Sequence, residues 1–150
     1  MSGQVKQRLF GRGFSRMNAD NVVNELKHGN ITEKILATFF RVYNVLGYGF
    51  LEKVYENALL IELKKLGLPA VAQLPIRVFY DNMVVGEYFA DLLVDNAIII
   101  EIKAAKTIIP EHEAQLLNYL KATQLEVGLI LNFGPKAEFS RKAFDNSRKK

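Results

Sequence analysis

The sequence predicts an α/β domain, a mixed β-sheet flanked by helices in the order α-α-β-β-β-α-β. Apolar residues recur at helical spacing from Thr32 to Leu66, then change to strand-like runs after Pro69. A third helical stretch opening at Pro110 interrupts those runs before a last apolar strand, Val127 to Phe133.

Composition sets the frame. At 150 residues the chain is long enough to bury one core without staples. Hydrophobic residues make up 49% and charged residues 24%, the balance of an ordinary soluble globular protein. The absence of cysteine excludes disulfides and thiolate metal sites, so a metal must be held by oxygen or imidazole. No apolar run approaches the roughly 20 residues of a membrane helix, and Met1 is not followed by a signal-peptide core. The expected location is cytoplasmic, with no membrane partner.

The net charge of +4 is unevenly spread. Residues 1–28 hold five basic residues against two acidic ones, and residues 135–150 hold six against two, which leaves the body at −3. Basic ends on an acidic body suit a chain whose tails meet phosphates while its centre holds a cation, although basic termini also serve solubility alone. Residues 1–28, glycine-bearing and without period, read as a basic flexible extension with a short helical turn near Asn21 to Lys27. Residues 29–150 read as the domain with its basic tail.

The first helix is expected from Thr32 to Leu46, with Ile35, Leu36, Phe39, Phe40, Val42 and Tyr43 as a wide apolar stripe. Gly47 suits its C-terminal cap. The second runs from about Leu51 to Leu66 and is ended by Gly67 and Pro69. A strand from Leu74 to Tyr80 and a turn at Asp81-Asn82 follow. Val84 to Val94 is a long strand whose Gly86 marks a bulge. Asp95-Asn96 turns the chain into Ile98–Lys103. The third helix spans Pro110 to about Ala122, and Gly134-Pro135 stops the strand that begins at Val127. Ala137 to Phe144 reads equally as a short edge strand or a helix.

Within Ile98–Lys103 side chains alternate, so Ile98, Ile100 and Ile102 face one way and Ile99, Glu101 and Lys103 the other. Glu101 and Lys103 stand about 6 to 7 Å apart along the strand, and antiparallel pairing brings Asp91 near Glu101. Such charges form an ion pair if the face is solvated; if it is buried, they must pair or hold a metal. Gln115 and Tyr119, four apart on the third helix, share one face at about 6 Å.

Gly49-x-x-Glu52-x-x-Tyr55, Asp91, Glu101-x-Lys103 and Gln115-x-x-x-Tyr119, in that order, resemble the GxxExxY family of the PD-(D/E)XK nuclease superfamily. The likeness spans about Ile31 to Arg141, and also draws on Leu74-Pro75-Ile76, Gly86-Glu87-Tyr88 and the stretch from His112 to Lys121. It departs at Ala90, where the superfamily motif carries proline, and at Tyr43, where the family is expected to carry histidine. The resemblance implies a restriction-endonuclease-like core with Asp91, Glu101, Lys103 and Glu52 as catalytic residues. Asp91, Glu101 and Glu52 would be metal ligands, and Gln115 and Tyr119 would position nucleic acid or water. It implies Mg²⁺, with Mn²⁺ as substitute, and hydrolysis of phosphodiester bonds in nucleic acid, DNA before RNA. The alternative is an inactive nucleic-acid-binding or regulatory module of the same fold. A homodimer is compatible with either. Tyr55 reads as core and His112 as a structural hydrogen-bonder.

Overall fold

The computed structural model describes residues 26–150. The basic extension expected over residues 1–28 therefore lies outside the described residues up to residue 25. Lys27, at its end, bridges Asp145 at 3.0 Å and Glu126 at 3.2 Å, and Arg141 donates to its carbonyl.

Helix α1 (Gly29–Leu46) begins three residues before the expected Thr32, and α2 (Glu52–Lys65) follows. The strands are β1 (Ala70–Tyr80), β2 (Met83–Val94), β3 (Ile98–Lys103), β4 (Val127–Phe133) and β5 (Ala137–Ala143). Helix α3 (Pro110–Lys121) connects β3 to β4, and a short 3₁₀ turn (Asn146–Arg148) closes the chain. The order α-α-β-β-β-α-β-β extends the expected one by a single strand. The undecided tail is that strand, because pairing Ala137–Ala143 antiparallel to β4 satisfies the backbone groups of a wholly buried neighbour.

In space the five strands keep their sequence order, β1-β2-β3-β4-β5. Neighbours are antiparallel except β3 and β4, which are parallel and so need the crossover that α3 supplies. The sheet separates two apolar clusters. Ile98, Ile100 and Ile102 pack with α1 and α2 residues such as Phe39, Tyr55 and Leu59. Ile99 joins Leu116, Tyr119 and Leu120 of α3 on the other face. The alternation expected in Ile98–Lys103 holds, and it assigns Glu101 and Lys103 to the α3 face.

Gly134 ends β4 where the chain passes close to the segment after β3. A Cβ there would lie 2.2 Å from the Ala105 carbonyl oxygen and 3.0 Å from the Asn132 amide nitrogen. The first contact is with backbone, which cannot rotate away. Gly134→Ala is expected to cost about 1–3 kcal/mol, read as a lower melting midpoint.

Strands β1 and β2 outrun the rest of the sheet. β3 pairs with β2 only at Leu92, Leu93 and Val94, whereas β1 follows β2 out to Met83. The surplus forms a two-stranded arm closed at Asp81-Asn82. Both turn residues have positive φ, 51° and 61°, as a two-residue hairpin of matching twist requires. Register slips by one residue between Val78 and Phe79, which leaves Val85, beside the expected Gly86, as the extra residue of a bulge. Phe79, Tyr80, Met83, Tyr88 and Phe89 are exposed on this arm.

Candidate active site

The site begins at a fork between strands. Antiparallel pairing of β2 with β3 stops at Leu92–Ile100, one step short of Asp91 and Glu101. There side chains take over from the ladder. The Asp91 N–H donates to Glu101 Oε2 at 3.0 Å, and the Ile102 N–H donates to Asp91 Oδ2 at 2.7 Å. Each carboxylate is thus aimed by the opposite strand's backbone through one oxygen.

Two irregularities accompany the fork. Ala90 packs in the α3-side cluster while Leu92 packs in the other, although residues two apart in a regular strand share a face. Strand β2 therefore kinks at Asp91. Opposite it, Gln73 drops out of the β1–β2 pairing with φ of 58°, a left-handed conformation uncommon for a residue with a side chain. Gln73 Nε2 donates to Glu56 Oε1 at 2.8 Å and ties α2 to the sheet beside Asp91.

Burial makes the pair electrostatically tense. Glu101 is 4% exposed. Burial first, then the charge of Asp91, pushes its carboxyl up to about 8. Asp91 is also raised, by burial and then by the charge of Glu56, against the opposing Ile102 hydrogen bond and Lys103. At neutral pH and without a cation the site favours retaining a proton rather than carrying two bare charges.

Lys103 and α3 complete the α3-side wall. Lys103 Nζ donates to Gln115 Oε1 at 3.2 Å, and Gln115 Nε2 donates to the Tyr119 hydroxyl at 3.0 Å. The i, i+4 spacing expected to pair Gln115 with Tyr119 does so. Burial, followed by the charge of Glu101, pushes the Tyr119 hydroxyl up to about 12, so it stays protonated across the neutral range. Having accepted from Gln115, it still has its own O–H to donate.

Glu52 stands apart from this group. It lies exposed in the first turn of α2, with no hydrogen bond or ion pair to Asp91 or Glu101. The helix acid whose charge reaches Asp91 is Glu56, one turn on, 3% exposed and also bonded to Lys53. Its signal was present in the sequence. Glu56, Leu59 and Leu63 fall at i, i+3 and i+7, so an acid occupies the apolar stripe of α2.

Asn132 is a second residue that sequence reasoning passed over. It is fully buried, and its amide both accepts from Ala105 N–H at 2.9 Å and donates to the Ala105 carbonyl at 3.0 Å. That clamp holds the segment leaving Lys103, the residue paired with Asn132 across β3 and β4. A lone amide inside the apolar run Val127–Phe133 was its signal. Tyr55, by contrast, is core as expected: its ring stacks on Phe133 at 4.0 Å and its hydroxyl donates to the Gly47 carbonyl at 2.8 Å. Tyr43 donates to the Gly134 carbonyl at 2.7 Å, a structural task. His112 accepts from the Ile109 N–H at 3.3 Å at the start of α3, the structural role expected of it.

Among the described residues no group of three or more Asp, Glu or His side chains forms a metal cage. Asp91 and Glu101 nonetheless fit a small hard dication. They offer only oxygen, their mutual repulsion is relieved by positive charge, and Mg²⁺ needs one or two carboxylates because it keeps several waters.

A family model of the PD-(D/E)XK nuclease superfamily matches residues 29–142, spanning α1 to nearly the end of β5. The crystal structure of SSO0001 superposes with a TM-score of 0.50 at 18% identity, covering 79% of this chain and 60% of that one. That likeness concerns the fold, and this chain spans 60% of the solved one's length. Comparison with curated proteins returns no match. No helix among the described residues is long and apolar enough to cross a membrane.

Proposed function

The chain belongs to the PD-(D/E)XK nuclease superfamily, and from that premise we propose that it hydrolyses phosphodiester bonds of nucleic acid, DNA in preference to RNA, with Mg²⁺ or Mn²⁺ held by Asp91 and Glu101. The observation that carries the reading is the reciprocal anchoring of those two buried carboxylates where β2 and β3 part. A binding module gains nothing from holding two acids together at a cost in stability.

Bound there, a divalent ion supplies positive charge against the reacting phosphate and acidifies water. The chain's own residues do the rest. Asp91 and Glu101 would hold the cation, and the proton retained between them without it would leave to solvent. Lys103, held by Gln115, presents an ammonium to the charge that grows on the phosphate oxygens. Tyr119 offers its O–H to a phosphate oxygen or to the attacking water, and stays neutral while doing so. The exposed Glu52 contributes through the approach of substrate or of a second ion rather than through the anchored pair.

The test is a cleavage panel of single-stranded, double-stranded, flap and branched DNA and RNA in Mg²⁺, Mn²⁺ or EDTA. Cleavage of at least one DNA in either metal and none in EDTA is expected. Binding without cleavage of any substrate in both metals would replace this reading with the inactive binding module.

A further inference from the structure

The arm and α3 enclose a groove of about 880 Å³ that the residues of the anchored pair do not line. Gln115 and Tyr119 are among its lining residues, so it shares two side chains with the candidate active site. Resting on the nuclease reading above, we propose that this groove holds an unpaired stretch of the substrate strand, with a base stacked on the arm and its phosphates on the surrounding cations.

Tyr88 forms the platform. It lines the groove half-exposed, on the face of the arm shared with Ile76, and its ring lies 5.9 Å from that of Tyr119. Large aromatic faces left open to water beside a phosphate-handling site are what nucleobases stack on. A base inside a duplex has both faces covered by its neighbours, so only a single strand, a flap or a frayed end can use them. The charge is complementary as well. Arg77, Lys121 and Lys150 also line the groove. Against them stand Glu111, which lines it, and Glu87, which is paired with Arg77 at 3.4 Å. The volume falls in the range of sites that hold a single small ligand, enough for an unstacked nucleotide.

The experiment measures fluorescence anisotropy of a labelled oligothymidylate and of a hairpin duplex of equal nucleotide number, in EDTA, where cleavage plays no part. Wild type is expected to bind the single strand at least tenfold more tightly than the duplex. Tyr88→Ala is expected to weaken single-strand binding about tenfold while leaving the duplex unchanged, and Tyr88→Phe, which keeps the ring, to restore it. Tyr88→Leu, which keeps apolar bulk but offers no ring face, is the second variant should Tyr88→Ala melt early, and a loss of at least threefold is expected. Equal affinity for the two ligands, or single-strand binding untouched by both Tyr88→Ala and Tyr88→Leu, would overturn the groove. Because binding is read without metal, a chain that binds single strands through Tyr88 yet cuts nothing keeps the groove and loses only the nuclease reading. A chain that cuts but ignores Tyr88 does the reverse.

Discussion

Glu101→Gln is expected to lower cleavage of the wild type's best substrate about a thousandfold, the several kcal/mol that a correctly placed metal contributes to a phosphoryl transition state. Glutamine keeps the length of the side chain and an oxygen that can still accept from the Asp91 N–H, so the fork between β2 and β3 should survive. What it removes is one of the two negative charges proposed to hold the cation. Lys103→Met separates metal binding from catalysis. It deletes the ammonium bonded to Gln115 but neither carboxylate, so cleavage should fall about a hundredfold or more while added Mn²⁺ still raises the melting midpoint. Initial rates on one oligonucleotide, with melting curves in Mn²⁺ and EDTA, check both variants. Near wild-type cleavage by Glu101→Gln would remove Glu101 from the metal, and loss of the Mn²⁺ shift in Lys103→Met would make Lys103 a structural partner of the pair.

The stability of the metal-free protein is expected to fall as pH rises from about 4.5 to about 8. Glu101 ionises near 4.5 in an unfolded chain and at about 8 in the fold. Between those values the native state binds more protons than the unfolded state. Unfolding free energy therefore drops with pH, by up to about 1.4 kcal/mol per unit for one proton. The contribution is fully present below the unfolded value and lost as pH passes the folded one. Asp91, also raised, acts in the same direction. Each kcal/mol lost corresponds to roughly 2–4 degrees of midpoint in a domain of this size. Calorimetry in EDTA across pH 5 to pH 8.5 should show this decline, and Glu101→Gln should flatten it and melt at or above wild type at the alkaline end. Above neutrality Mg²⁺ at ten times its Kd should restore about 1.4 kcal/mol to the wild type and nothing to Glu101→Gln. Equal slopes in the two proteins would show that Glu101 is not the group that holds the proton.

Much of the molecule was legible without coordinates, because much of it is encoded locally. The turns at Asp81-Asn82 and Asp95-Asn96 require residues that tolerate positive φ, and those pairs announce them. The alternation of Ile98 to Lys103 puts Glu101 and Lys103 on one face wherever the strand sits. Helix periodicity likewise put Gln115 beside Tyr119, and their hydrogen bond follows from the i, i+4 rise. The superfamily, read from motif order, stands on the match over residues 29–142.

Other features depend on the assembled fold. Motif order nominated Glu52, but which helix acid approaches Asp91 depends on how α2 lies on the sheet, and Glu56 is the one turned inward. Antiparallel pairing was expected to bring Asp91 near Glu101, and it does, but the ladder stops one step short of them. The left-handed Gln73 and the kink of β2 had no signal in sequence, and strain of that kind persists only where surrounding packing imposes it. The tail from Ala137 was undecided in sequence because a weakly patterned segment takes the form of its neighbour, here the unpaired edge of β4. Sequence by itself determined the elements as far as β4, the turns and the shared face of Glu101 and Lys103, since each follows from residues a few positions apart. Only the tertiary structure decided which acid faces Asp91, that Asn132 clamps the segment after Lys103, and that the arm and α3 form a groove, since each of these joins segments far apart in the chain.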